Sequence, residues 1–213
     1  SDEHSPHAVG FLGSKIAQTP ALDSLARRGV AFSAAYCQDP VCVPSRVSIL
    51  TGRMPSKVGV IDNGGGLDDT VPTLADVFKG AGYSAYWLGK THWGGKPDFD
   101  DFESRPDVKE LITQRQSGLK RKALKSRLPE DAEIVDYPAS IEPDSITKDL
   151  ALKCLEENKD RRFFLGVSFR KPHFPFSVQA EFAEPFKGKL DAPRVSPEAI
   201  EALPRVSRNE RDK

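Results

Sequence analysis

Cys42 and Arg46 open a segment, Cys42-Val43-Pro44-Ser45-Arg46, that reads as the start of a helix. One helical turn separates the two, so the guanidinium can reach the neighbourhood of the sulfur. A helix N-terminus with an arginine beside it is a place to hold an anion. By themselves the two residues also fit a buried cysteine near a salt-bridged arginine, because a free cysteine commonly packs as a small apolar side chain. Lys90 and His92 lie two apart, just past a strand-like run, and can project the same way from an extended chain. They offer one fixed positive charge and one tunable proton carrier. His173 sits in Arg170-Lys171-Pro172-His173-Phe174-Pro175-Phe176, where the prolines stiffen the backbone around it. Asn63 precedes Gly64-Gly65-Gly66, but no Lys-Ser/Thr follows, so a phosphate-binding loop is excluded and an ordinary turn remains open.

These residues need elements to position them. Pro44 fits an early helix position, Ser45 can cap backbone donors, and Val47, Ile49 and Leu50 form an apolar run that Gly52 stops. Upstream, Thr19 caps a helix that Pro20 opens and Gly29 ends, with Leu22, Leu25 and Ala26 as its buried face. Residues 30–36 read as a strand whose following loop delivers Cys42. A helix over 73–80, with Leu74, Val77 and Phe78 inward, precedes a strand over 84–88 that leads into Gly89 and Lys90. Residues 145–158 form an amphipathic helix with Ile146, Leu150, Leu152 and Leu155 on the buried side and Cys154 in the core. The continuous apolar run 163–169 is what a buried parallel strand requires, and it leads straight into the His173 loop. The alternation of strands and helices argues an α/β domain with a mainly parallel sheet flanked by helices. Residues 97–143 are charged and broken by prolines; Lys109 to Arg127 reads as a solvated helix or an insertion.

The 213 residues suffice for one domain with a real core, and 31 basic residues cancel 31 acidic ones. No overall field suggests nucleic acid, and no apolar run approaches a membrane span. No signal peptide is visible in a chain that starts at Ser1, so the compartment stays open. Three cysteines do not form a disulfide framework, although Cys37 and Cys42 are close enough in sequence to pair.

The string Cys-x-Pro-Ser-Arg followed by Thr51-Gly52-Arg53 resembles the signature of the sulfatase family, whose cysteine is oxidised to formylglycine. Gly89-Lys90-Thr91-His92-Trp93-Gly94 resembles the family's second signature, and Lys171-Pro172-His173-Phe174-Pro175-Phe176 resembles the loop that supplies another active-site histidine. The resemblance implies an alkaline-phosphatase-like fold, here its N-terminal part only, with 97–143 as a region that varies with substrate. It also implies a divalent metal, calcium by family habit with magnesium or manganese as alternatives, held by Asp2, Glu3 and the residue at Cys42. Asp2 is the better match to the family's acidic pair, and Glu3 departs from its commonest form. A second acidic motif and a further lysine of the family have no place in the chain, which therefore reads as a fragment.

By the same resemblance Cys42 becomes formylglycine, made by a maturation enzyme, and its hydrate attacks sulfur. Arg46 and Lys90 supply fixed charge, and Lys90, His92 and His173 contact the sulfate. His173 serves as general acid and His92 takes the proton when sulfate is expelled. Asn63 matches an asparagine near the sulfate in choline-sulfatase-like members, whereas the His173 loop is similar to that of iduronate-sulfatase-like ones. The implied substrate is a sulfated carbohydrate or another small sulfate ester. A phosphomonoester or phosphonate hydrolase of the same superfamily, and an inactive remnant, are the competing readings.

Overall fold

The computed structural model describes residues 1–116 and 132–189, with residues 196, 198, 201 and 202. Residues 1–180 form one unit, and residues 181–213 form another that contains the short turn Glu184–Phe186. In the first unit the helices are α1 (Pro20–Arg28), α2 (Cys42–Thr51), α3 (Pro55–Val58), α4 (Leu74–Gly80), α5 (Pro106–Gln116) and α6 (Pro143–Asn158). The strands are β1 (Ser84–Gly89), β2 (Glu133–Val135), β3 (Phe163–Ser168) and β4 (Ser177–Gln179).

β1 and β3 pair in parallel, from Ser84 opposite Phe163 to Gly89 opposite Ser168. β2 and β4 form a second parallel pair. Parallel neighbours require a crossover, and α5 and α6 supply it between β1 and β3. Side chains alternate along β1, so its two faces serve two cores. Leu88 joins Ile146, Leu150, Ala151 and Cys154 of α6, together with Phe102 and Val108. Trp87 packs instead toward Val43, Val47 and Leu50 of α2, with Trp93 and Phe99 around it. Helices therefore cover both faces of the β1–β3 pair, as the alternation of strands and helices leads one to expect. No described helix is long and apolar enough to cross a membrane.

Several expectations fail in detail. Residues 30–36 are not a strand: they have no ladder partner among the described residues, and Val30, Phe32 and Tyr36 are exposed. The apolar face of α1 is not buried either, with Leu22 and Leu25 open to solvent. Thr19 stands at the head of α1 but does not cap it. Its hydroxyl accepts from Gly10 N–H at 2.8 Å and donates to Asp23 at 2.9 Å, tying α1 to the preceding turn. In α4 it is Ala75 that is buried, whereas Val77 is exposed. Leu152 and Leu155 of α6 face out, as does Ile49 of α2. β3 is parallel as expected but only half-buried, and Val167 is open to solvent. α5 is not simply a solvated helix, because Val108 is fully buried against α6; the rest of the proposed basic helix lies largely outside the described residues.

Candidate active site

The loops that leave the C-terminal ends of β1 and β3 meet the start of α2 and the first residues of the chain. The carboxyl ends of parallel strands are where α/β folds build their sites. Cys42 is the first residue of α2, and extended Val41 precedes it as the cap. Ser45 does not cap the helix. That role falls to Asn63, whose Oδ1 accepts the Val43 N–H at 2.9 Å from across the loop. Val43, Val47 and Leu50 anchor α2 in the core, and Gly52, at φ +65°, ends it in the left-handed conformation that glycine tolerates. Cys42 is thus a half-buried free thiol on a fixed helix terminus; Cys37 is free and exposed, and Cys154 is free and buried.

Arg46 lies one turn along α2. Its Nη1 donates to the carbonyls of Lys90 at 3.0 Å and Thr91 at 3.4 Å, and to the hydroxyl of Ser168 at 3.0 Å. Its Nη2 faces Asp2 Oδ1 at 3.5 Å. Lys90 follows β1 directly, and its N–H continues the ladder to the Ser168 carbonyl at 2.8 Å. Gly89 makes this approach possible: at φ +86° a Cβ would run into that same carbonyl. Lys90 is only 9 % exposed, and its ammonium pairs with Asp2 Oδ2. Asp2 in turn is aligned by a parallel backbone bridge to Pro172. Burial alone would raise its carboxyl, but the Lys90 hydrogen bond and the charges of Lys90, Arg46 and His173 outweigh it and hold Asp2 below its ordinary value.

His92 adopts φ +52° and Glu3 φ +61°, the two non-glycine residues with positive φ among those described. Such backbone costs on the order of 1–3 kcal/mol and gathers at functional sites. Partial burial, then the charges of Lys90 and Arg46, hold the His92 imidazole below its ordinary value despite the opposing pull of Asp2. On the other side, His173 Nδ1 lies 2.6 Å from the Phe174 carbonyl, which can only accept. Nδ1 therefore carries the proton, and Nε2 is the nitrogen left for chemistry. It faces Glu3 Oε1 at 3.5 Å. A carboxylate oxygen of Asp2, the sulfur of Cys42 and a ring nitrogen of His173 all lie within 4.8 Å of one another. Glu3 stands beside this trio rather than in it.

A cavity of about 790 Å³ opens over Cys42, with Glu3, Asn63, Lys90, His92 and His173 on its walls. A second, of about 450 Å³, reaches Cys42 from the Asp2, Arg46 and Ser168 side. The eight residues singled out from sequence thus surround these two spaces. Sequence reasoning missed Ser168, which fixes the Arg46 guanidinium, and Asp144, which grips the His173 loop through two backbone amides at 2.7 and 2.8 Å. Ser168 ends an apolar strand and Asp144 sits in the first turn of a helix, so each looked like an ordinary boundary residue.

The family model described as Sulfatase matches residues 1–197. The chain is 31% identical over 223 residues to iduronate 2-sulfatase of Homo sapiens, an alignment covering 95% of this chain and 39% of that protein. It is 33% identical over 216 residues to an ulvan-active sulfatase of Formosa agariphila, covering 97% of this chain and 39% of that protein. The chain therefore spans about two fifths of the length of these relatives. A protein solved in complex with its substrate D-glucosamine-2-N,6-O-disulfate superposes with a TM-score of 0.67 at 21% identity, over 91% of this chain and 37% of that one. This likeness shows an alkaline-phosphatase-like sulfatase fold, of which the chain is a part.

Proposed function

The chain belongs to the sulfatase family, and from that premise we propose that the protein carrying it hydrolyses sulfate esters of saccharides with position 42 as the nucleophile. The observation that carries this reading is the convergence of Arg46, Lys90, His92 and His173 on Cys42 at a helix N-terminus. Sulfate ester cleavage develops negative charge on oxygens, and preorganised cations are the effective response. Arg46 and Lys90 are such cations, each locked by backbone carbonyls, Ser168 or Asp2. Departure of a sugar alcohol needs a proton, which His173 gives from Nε2 when its ring carries a proton on both nitrogens. Release of sulfate needs a base, and His92, held neutral by its surroundings, takes that proton.

Matured to formylglycine and hydrated, position 42 supplies an oxygen nucleophile in place of the thiol and a second hydroxyl with which to expel sulfate. The donors within reach fit one side of a divalent metal site. Asp2 offers the carboxylate oxygen that a hard cation such as calcium, or magnesium or manganese, prefers; an oxygen at position 42 would be the second. Such a cation, when bound, contributes positive charge that acidifies the hydroxyl and offsets the sulfate. A sugar-sized cavity of about 790 Å³ and the saccharide sulfatases among the relatives support a sulfated saccharide as substrate.

The test is tandem mass spectrometry of the tryptic peptide from Gly29 to Arg46, from protein made beside a maturation enzyme, together with sulfate release from sulfated saccharides. An aldehyde at Cys42, distinguished from Cys37 by fragment ions, is expected. An unmodified thiol, when a control sulfatase is matured in the same cells, would overturn the proposed nucleophile. Faster phosphate release from the matching phosphate ester would overturn the proposed reaction.

A further inference from the structure

Asp144 is the second residue of α6, far from the cavity in sequence and outside every signature recognised in the chain. Its carboxylate divides between two consecutive backbone donors. Oδ1 accepts the Arg170 N–H at 2.7 Å and Oδ2 accepts the Lys171 N–H at 2.8 Å. Both bonds are charge-assisted, so they are short and stiff. The next link is local: the His173 N–H donates to the Arg170 carbonyl at 3.1 Å and closes a turn whose first two amides are already held. Between them, Pro172 makes the backbone bridge that aligns Asp2. The loop is fastened at its exit as well. The Lys171 ammonium reaches forward to the carbonyls of Pro175 at 3.2 Å and Ser177 at 2.9 Å, and to the Ser177 hydroxyl at 2.8 Å.

We propose that Asp144 is a positioning residue for the reaction: by gripping the amides of Arg170 and Lys171 it sets where His173 and Asp2 stand over Cys42. The inference rests on the reading of His173 as the proton donor to the leaving alcohol. A misplacement of about 1 Å in such a group can cost about 100-fold in rate. Because the effect runs through the proton donor, it depends on the leaving group. A sugar alcohol leaves badly without a proton, whereas a nitrophenolate leaves well.

The experiment uses the full-length matured protein and measures kcat and KM on a saccharide sulfate and on nitrophenyl sulfate. The variants are Asp144→Ala, Asp144→Asn and His173→Ala. For His173→Ala, kcat on the saccharide ester is expected to fall about 100-fold or more, with a loss below about 10-fold on the nitrophenyl ester. Asp144→Ala should reproduce that selectivity at smaller amplitude, about 10- to 100-fold against a few-fold, with KM nearly unchanged. Asp144→Asn keeps one oxygen acceptor and should fall between; it also carries the test if the alanine variant does not fold. Hydrogen exchange at the Arg170 and Lys171 amides should quicken while the β1–β3 amides stay protected. Equal losses on the two esters, a change in KM alone, or unchanged exchange at 170 and 171 would overturn the inference. If His173→Ala shows leaving-group selectivity and the Asp144 variants do not, only the role of Asp144 falls. Should His173→Ala itself show none, the proton-donor reading falls and this inference with it.

Discussion

Asn63 performs two tasks that a single substitution pulls in opposite directions. Its Oδ1 caps the Val43 N–H at the head of α2, and its side chain lines the cavity over Cys42. Asn63→Ala removes the cap, which should cost about 1 kcal/mol and lower Tm by about 2–4 °C in a protein of this size or larger. Asn63→Asp keeps the acceptor, adds charge at the positive end of a helix, and should leave Tm unchanged or slightly higher. Anion binding should respond the other way. A cavity of about 790 Å³, taken as a sphere, has a radius of about 6 Å, which is the scale of the gap between a wall charge and a central sulfate. Two like charges about 6 Å apart, at an effective dielectric of about 20, repel by about 3 kcal/mol, or about 100-fold in affinity. The assays are thermal melting and competitive inhibition by methyl sulfate, a singly charged sulfate ester, run on the full-length protein. Asn63→Asp should hold Tm and lose about 100-fold in methyl sulfate affinity, whereas Asn63→Ala should lose Tm and only a few-fold in affinity. If the aspartate variant melts as low as the alanine variant, Asn63 is not the cap. If it binds methyl sulfate normally, the cavity is not where the anion sits.

Because His92 is held below its ordinary 6.5, it stays neutral at pH values where a free imidazole would already be protonated. The acid limb of the rate that depends on neutral His92 should accordingly fall below pH 6.5, and His92→Asn should abolish that limb in a pH profile of kcat. At α4, the Thr73 hydroxyl and N–H both donate to Asp76 Oδ2 at 2.7 Å and hold its carboxyl below the ordinary 3.8. The stability this gives is full above pH 3.8 and is lost as pH falls through the lower native value; Asp76→Ala should cost about 1 kcal/mol in a urea melt at neutral pH and flatten that acid dependence. On α6, Leu150→Ala, at a fully buried position, should cost about 3 kcal/mol, while Leu155→Ala, at an exposed one, should cost under about 1. Equal losses would put Leu155 back in the core.

Which residues gather at the cavities was readable in the sequence wherever a short string carried them. Cys42 with Arg46, Lys90 with His92, and His173 each stand at a recognisable helix start or strand end, and a parallel strand was legible in the apolar run 163–169, though not that its partner is β1. What failed was whatever depends on a distant partner. The buried stripe of α6 runs through Ile146, Thr147, Leu150, Ala151, Cys154 and Asn158. Two of these are polar, so a count of apolar side chains drew the stripe through Leu152 and Leu155 instead. Asn158 is tolerated there because it donates to the Cys154 carbonyl at 2.8 Å and accepts from the Tyr86 hydroxyl at 3.2 Å, and local sequence shows neither bond. Residues 30–36 have strand-like composition, but a strand exists only where a neighbour completes its ladder. Ser168 and Asp144 escaped for the same reason: their partners lie 122 and 26–27 residues away.

The bond from the Lys90 N–H to the Ser168 carbonyl joins the ends of the two strands from which the Lys90–His92 and His173 loops depart. It spans 78 residues of chain, so its closure carries a large loop entropy and is repaid only when α6 packs against both strands. Before that closure the cysteine helix, the lysine and the histidine are separate local structures with no common anion site. The exchange rate of this single amide is therefore a clock for the assembly of the whole centre: it should open only with the β1–β3 core, and any variant that lets it open sooner should lose the anion site before it loses helix content.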